Sequence, residues 1–176
     1  MADAPEVIEA REKKDDKEYF RNIVKINPML IEWANEEIRD NKEILLEAVK
    51  INGGALEFAS DRLKDDKEIL IEAVSQAGWT CCYASENLRA DKDVILAATK
   101  MDGQALYFAS KELRDDKDVV LSAVENKPII LKYASYRLRD DKDVAMLAVG
   151  KAKKKVIDYI TPRLREDEDI KKLLEE

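Results

Sequence analysis

Histidine is absent from this chain of 176 residues, and glycine (5), proline (4) and cysteine (2) are scarce. Without histidine, the commonest general base and most zinc ligand sets are missing. No glycine-rich phosphate loop is present, because Gly53-Gly54 stands only between two helical stretches. Cys81 and Cys82 are sequence neighbours, which rarely bond to each other, so we expect reduced thiols. The sequence therefore predicts no enzyme activity, no metal site and no cofactor.

Long apolar runs are also missing, so no segment is predicted to cross a membrane, and the N-terminus has no apolar signal core. These features favour a cytoplasmic, reducing compartment, with secretion as an effector as the alternative. The net charge of −7 disfavours nonspecific binding to nucleic acid or to anionic membranes. One basic cluster is a possible anion contact or a solvated turn. It consists of Lys151, Lys153, Lys154 and Lys155.

The chain consists mainly of one pattern that recurs every 25 residues, counted between the Asp pairs at Asp15, Asp40 and Asp65. A fixed period of this size predicts stacked supersecondary units. The sixth copy is one residue longer than the others. We assign residues 1–14 to an N-terminal capping helix or arm and residues 166–176 to a C-terminal capping half-repeat. The six helix-turn-helix repeats between them are 15–39, 40–64, 65–89, 90–114, 115–139 and 140–165.

The first helix of each repeat is preceded by an acidic box such as Asp40-Asn-Lys-Glu43. We expect the leading Asp to cap the helix, and the second acid to lie in its first turn. Apolar residues then follow in helical spacing, as in Ile44-Leu45 and Ala48-Val49. Asn52-Gly53 should end the helix through a left-handed glycine. Pro28 and Pro128 take the same place in other repeats and suit the first turn of the next helix.

The second helix is predicted to be short. Leu56, Phe58, Ala59 and Leu63 represent its buried positions in one repeat. The aromatic position recurs in every repeat, and we interpret it as part of the core. A small hydroxyl or amide residue such as Ser60 follows two residues later and should bond the local backbone. Each repeat closes with a basic residue, which should form a charge ladder with the next Asp pair.

Together these features predict an all-α solenoid, right- or left-handed, of about six 25-residue two-helix repeats with polar end caps. Lys171 and Lys172 replace apolar residues in the last half-repeat, as expected for a cap. Neither helix is long enough to be stable alone. The stability of such an array is approximately the sum of the contributions of its repeats and of the contacts between neighbours.

EAVKINGGALEFASDRLKDDKE at 47–68 and LSAVENKPIILKYASYRLRDDKD at 121–143 resemble the repeat family catalogued as domain of unknown function 4116. The resemblance covers about residues 15–169. It implies tandem helical arrays of the kind found in eukaryotic microbes and intracellular bacteria. It implies no activity for the repeat itself, and some members look like parts of secreted effectors.

Binding residues in a repeat array are expected at positions that vary while the frame repeats. Trp79, Tyr107 and Tyr136 place aromatic rings in positions that are polar or glycine in most other repeats. Cys82 lies in the same variable position as Tyr107. These four residues are the predicted partner-binding patch. The alternative is that Trp79 fills a local gap and that the tyrosines lie along the surface.

The sequence therefore predicts a non-enzymatic protein–protein interaction scaffold or binding module with an unknown protein partner. One alternative is an accessory or inhibitory domain that occludes an enzyme partner. A nucleic-acid-binding helical repeat is a third possibility, but it would require regular basic positions. Self-association is also open, and no membrane partner is expected.

Overall fold

The computed structural model describes residues 3–175, and within this range every element is helical and no strand occurs. The all-α prediction is confirmed. The chain forms two compact units, Met1–Leu88 and Arg89–Glu176. Of the segments predicted to be end caps, residues 1, 2 and 176 lie outside the described range.

In the first unit, long α-helices form one layer and 3-10 helices (η) form another. Helix α4 packs on α6, and η1, η2 and η3 contact one another in series. The elements are α1 Pro5–Glu12, α2 Lys17–Ile23, η1 Pro28–Trp33, α3 Glu36–Arg39, α4 Lys42–Ile51, η2 Gly53–Phe58, α5 Asp61–Lys64, α6 Lys67–Gln76, η3 Gly78–Tyr83 and α7 Glu86–Arg89, whose last residue begins the second unit.

The second unit repeats this arrangement. Helices α8, α9, α11 and α13 pack in sequence order, and so do η4, η6 and η7. The elements are α8 Lys92–Met101, η4 Gly103–Tyr107, η5 Leu113–Asp115, α9 Lys117–Asn126, η6 Pro128–Tyr133, α10 Tyr136–Arg139, α11 Lys142–Ala152, η7 Lys153–Tyr159, α12 Pro162–Arg165 and α13 Glu168–Glu175.

The predicted second helix is in fact two helical segments, a 3-10 helix and a short helix after it. The break falls at Ala59, which is extended at φ −62°, ψ 153°. Ser60 then caps α5, because its Oγ accepts the N–H of Leu63 at 3.3 Å. Ser135 caps α10 in the same way. The hydroxyl residue was therefore correctly predicted to bond the local backbone, but it starts a new helix.

The long helices are capped by the second residue of the acidic box, whereas the first was predicted. Asn41 Oδ1 accepts the N–H of Ile44 at 3.2 Å. Asp40 instead accepts hydrogen bonds from Ser60 and from the guanidinium of Arg62 near the other end of the repeat. In this repeat the second residue of the box thus caps the helix, and the first ties the two ends of the repeat together.

The predicted apolar stripe is confirmed. Ile44-Leu45 and Ala48-Val49 are at most 1% exposed, and Leu56 and Leu63 are fully buried. The aromatic position was wrongly assigned to the core, since Phe58 and its counterparts are only half-buried. Because the 3-10 helix turns more tightly than an α-helix, Leu56 points into the core and Phe58 lies at its edge.

Close packing, and not a left-handed turn, explains the glycines that follow the long helices. No glycine in the described range has a positive φ, and Asn52 ends α4 in an extended conformation. A Cβ on Gly53 would lie 2.4 Å from the carbonyl oxygen of Ala73 on α6. Gly103 stands equally close to Ala123 O, at 2.4 Å. The left-handed prediction was wrong because the 3-10 segment itself begins at this glycine.

A charge ladder forms, but not from the basic residues that were predicted to form it. In the first unit, Lys42 Nζ reaches Asp66 at 2.7 Å and Glu68 at 2.8 Å in the next repeat. In the second unit, Lys117 reaches Asp141 and Asp143 in the same way. The lysine inside the acidic box can span to the next box because equivalent positions of stacked helices lie side by side.

The extra residue of the sixth repeat is absorbed at one backbone position. Lys153 adopts φ 51°, the only positive φ of a non-glycine residue in the described range. Helix α11 and η7 are each one residue longer than α9 and η6, but η7 follows α11 directly, without the linking residue Lys127 that separates α9 from η6, so the net gain is one residue. At the two ends, α1 buries Ala10 and α13 buries Ile170.

Candidate functional site

The three candidate aromatics are large exposed side chains. Trp79 is 44% exposed, Tyr107 54% and Tyr136 69%. Trp79 and the half-buried Cys82 belong to the first unit, and Tyr107 and Tyr136 belong to the second. The four predicted residues are therefore divided between the surfaces of the two units.

In the second unit, Tyr107 lies on a groove between η4 and η6, which we call the η4–η6 groove. Its volume is about 220 Å³. Phe108 and Gln104 line it beside Tyr107, and Ile129 and Tyr133 line it from η6. Ile129 is 41% exposed, which makes it a second large apolar side chain that is open to solvent at this place.

Aromatic rings form the wall of the η4–η6 groove. The rings of Tyr107 and Tyr133 meet edge to face, with centroids 4.9 Å apart and an interplanar angle of 65°. Tyr107 also contacts Phe108 at 5.1 Å. Edge-to-face contacts of this kind stabilise by about 0.5–1.5 kcal/mol, so the rings are held in place without being buried.

The charge of the groove is opposite to that of the chain as a whole. Lys127 and Lys132 line it, and no carboxylate is among its lining residues. The ammonium of Lys132 lies 4.8 Å from the ring centroid of Tyr133, a cation–π contact that holds it at the groove. A chain with net charge −7 thus presents a positively charged aromatic groove here.

The start of η4 is fixed by a side chain from the end of α9. Asn126 Oδ1 accepts the N–H of Gly103 at 2.9 Å. The Nδ2 of Asn126 donates to the carbonyl oxygen of Lys100 at 3.1 Å. These bonds join consecutive repeats beside the groove and anchor the start of the 3-10 helix that carries Tyr107.

The equivalent place in the first unit is filled by Trp79. Its Cη2 would lie 3.7 Å from a Cβ at Gly54, so the indole covers this glycine. Trp79 also meets Tyr83 edge to face at 5.9 Å. Burial, and next a hydrogen bond with Glu57, raises the pKa of Tyr83 to about 12. In the first unit Tyr83 therefore contacts both Trp79 and Glu57.

Sequence reasoning selected Tyr107 but not the residues that line the groove with it. Tyr133 was assigned to the core, and Ile129, Lys127 and Lys132 were not selected. The signal that could have found them is the sequence of the following repeat, because a groove between two stacked repeats is lined by residues from both. Tyr136 does not line the groove, since it starts the short helix α10.

The lysine cluster is partly engaged. Lys151 Nζ pairs with Glu125 at 2.6 Å, and Lys153 Nζ donates to the carbonyl oxygen of Leu173 at 2.7 Å. Lys154 and Lys155 are exposed on η7. Two of the four ammonium groups are therefore engaged within the fold, and the other two belong to exposed side chains.

Two features are absent from residues 3–175. No group of three or more Cys, Asp or Glu residues is arranged to hold a metal ion. In the same part of the chain, no helix combines the length and the apolar character needed to cross a bilayer.

A known protein family matches most of this chain. The family model described as Domain of unknown function (DUF4116) matches residues 16–64, 41–89, 66–114 and 116–165. Each match spans about two of the 25-residue repeats, and together they cover well over half of the chain. A search of curated proteins and a search of solved structures gave no match. The chain belongs to the DUF4116 family, a tandem-repeat family without an assigned function.

Proposed function

We propose that the chain is a non-enzymatic protein-interaction module and that its binding surface is the η4–η6 groove. The observation that carries this proposal is the convergence of Tyr107 and Ile129, both exposed, with Tyr133 on one groove of the second unit. Exposed aromatic and apolar side chains that cluster in a concave place are typical of interaction hot spots.

The size of the groove favours a macromolecular partner over a small substrate. Small-molecule sites are commonly about 300–1,000 Å³ and enclose their ligand. The η4–η6 groove has about 220 Å³ and is open to solvent. It can accept one or two side chains of a longer segment that continues along the surface.

Pre-organisation is the mechanism of binding in this proposal. The hydrogen bonds of Asn126 fix the start of η4, and the edge-to-face contacts orient Tyr107. A partner segment therefore meets side chains that are already ordered, and less conformational entropy is lost on binding. The same surface would serve a scaffold or a domain that occludes an enzyme.

Capture from a lysate of the source cells by immobilised protein tests the proposal, with Tyr107→Glu as the variant. Tyr136→Glu is the matched control, since it makes the same change at a more exposed tyrosine of the same unit that does not line the groove. We expect at least one protein to be retained by the wild type and by Tyr136→Glu but lost by Tyr107→Glu. Retention of the same proteins by all three, with equal circular dichroism, would contradict the proposal.

A further inference from the structure

We infer that the η4–η6 groove accepts an acidic peptide segment, in which an aliphatic or aromatic side chain is flanked by carboxylates. This inference rests on the proposed function and adds the chemistry of the partner. The partner is recognised twice, by the rings of Tyr107 and Tyr133 and by the ammonium groups of Lys127 and Lys132.

The apolar half of the recognition comes from exposed surface. Tyr107 and Ile129 are 54% and 41% exposed, and the half-buried Tyr133 packs against the core. Covering them removes apolar area from water, which is favourable at about 25 cal/mol for each Å². An incoming aliphatic or aromatic side chain would cover this surface, whereas a small polar side chain would leave its apolar atoms exposed to water.

The charged half comes from the two lysines and from the lack of acids. Lys127 and Lys132 both line the groove, and none of the residues that line it is Asp or Glu. The cation–π contact with Tyr133 keeps Lys132 at the groove without neutralising it. Carboxylates on the partner would thus meet like-charge repulsion over much of this acidic chain, and attraction here.

The equivalent residues of the first unit do not carry this positive charge. Ala77 and Cys82 stand where the second unit has Lys127 and Lys132, and Glu57 stands where it has Tyr107. That place holds a carboxylate of its own and is covered by Trp79. The inference therefore predicts that acidic segments bind the second unit and not the first.

Three fluorescent peptide panels test the inference. Each panel has Phe, Leu, Ile or Trp at its centre, flanked by Glu in the first panel, by Gln in the second and by Lys in the third. Anisotropy titrations at low and high salt would measure Kd for the full chain. We expect the Glu panel to bind about tenfold more tightly than the Gln panel, the Lys panel to bind most weakly, and the preference to shrink as salt rises.

Two double variants locate the effect. Lys127→Glu/Lys132→Glu should abolish or invert the preference for the Glu panel. Lys154→Glu/Lys155→Glu is the matched control, with the same change of charge at exposed lysines of the same unit outside the groove. It should leave the preference intact. If this control removed the preference as fully as the groove variant, the acidic segment would bind elsewhere and the inference would be overturned.

Failure of the inference can be told from failure of the proposed function. If the Glu and Gln panels bound equally, and both were lost on Tyr107→Glu, the charge selection would be refuted and the groove would stand as a binding site. If no Glu peptide bound the wild type at millimolar concentration, the inference would be refuted. Capture that depends on Tyr107 would then decide the proposed function separately.

Discussion

The two units differ at the surface between consecutive 3-10 helices. A large side chain covers this surface in the first unit, whereas it is an open groove in the second. In the first, Trp79 lies over Gly54 and contacts Tyr83. In the second, Gln104 takes the place of Gly54 and Ile129 takes the place of Trp79, so no large ring covers the groove. Tyr107 then remains 54% exposed.

The comparison separates residues that build the frame from residues that make a surface. Both units have a glycine in close contact with the next long helix, namely Gly53 and Gly103. Both also have a lysine ladder between their acidic boxes, as at Lys42 and Lys117. The frame is therefore shared, and the difference in surface arises from a few variable side chains.

The largest expected effect tests whether both units depend on the same close contact between a glycine and the next long helix. Gly53→Val and Gly103→Val should each lower the free energy of unfolding by about 1–3 kcal/mol, because a Cβ would lie 2.4 Å from a backbone oxygen in both places. Chemical denaturation would measure both losses. Gly150→Ala is the control, since a Cβ there meets nothing within 4 Å and should stabilise α11 slightly. Loss of stability in only one unit would break the comparison.

The next effect sharpens the difference between the two aromatics. Trp79→Ala should lower the free energy of unfolding by about 2 kcal/mol, roughly half of the loss for a fully buried ring. Tyr107→Ala should lower it by about 1 kcal/mol or less, since the Tyr107 ring is more exposed and contributes mainly its contacts with other rings. Urea denaturation compares the two variants. Equal losses would mean that Tyr107 is as structural as Trp79.

Alkaline titration tests the aromatic contacts of the first unit only. The pKa of Tyr83 is about 12 in the folded chain, against 10.0 for the free side chain. The unfolded chain loses this proton first, so the contribution of Tyr83 to stability is complete below pH 10.0 and is lost as the pH rises to about 12. Tyr83→Phe should remove this part of the pH dependence. Tyrosinate absorbance of the wild type should show a late-titrating component that is reduced in Tyr83→Phe, whereas Tyr19, whose pKa is also raised by burial, remains in both chains. Equal titration of the two chains would contradict the contacts of Tyr83 in the first unit.

The smallest expected effect concerns an aspartate that is hydrogen-bonded in the same way within each unit. Asp40 and Asp115 have lowered pKa values, caused first by hydrogen bonds from Ser60 and Ser135 and then by Arg62 and Arg137. Their contribution to stability is present above the unfolded pKa and is lost as the pH falls through the lower folded pKa.

Arg62→Gln and Arg137→Gln should therefore each move the midpoint of acid unfolding to a slightly higher pH, by similar amounts. Circular dichroism during acid titration would measure the midpoint. Because both pairs are exposed, the shifts should be small and should decrease at high salt. A shift in one unit only would show that the two acidic boxes are not equivalent.

Periodicity was enough to predict the fold, because each repeat places its apolar residues at the same positions. The buried stripe at Ile44 and Leu45 follows directly from helical spacing. The break at Ala59 was missed, because the Ser60 that follows it could either cap a new helix or end the previous one, and the two look alike in sequence. The glycine at Gly53 was misinterpreted, since its reason is contact with α6, which lies 20 residues further along the chain.

The candidate site could be predicted only in part. Tyr107 stood out because its position is charged or small elsewhere. Ile129 and Tyr133 complete the groove from the next 3-10 helix, and their role depends on how closely consecutive repeats stack. Comparing one position across the repeats identifies single residues. Predicting a groove requires knowing which positions of two neighbouring repeats lie together.

The most direct test of the account is an NMR titration of isoleucine-methyl-labelled protein with an acidic Phe-centred peptide. Ile129 and Ile130 line the η4–η6 groove, whereas Ile69 is buried in the first unit and Ile51 is exposed there. The account predicts that the methyl signals of Ile129 and Ile130 shift with the peptide while those of Ile51 and Ile69 stay in place. Shifts confined to Ile51 or other first-unit methyls, or a bound peptide that leaves Ile129 unmoved, would contradict it.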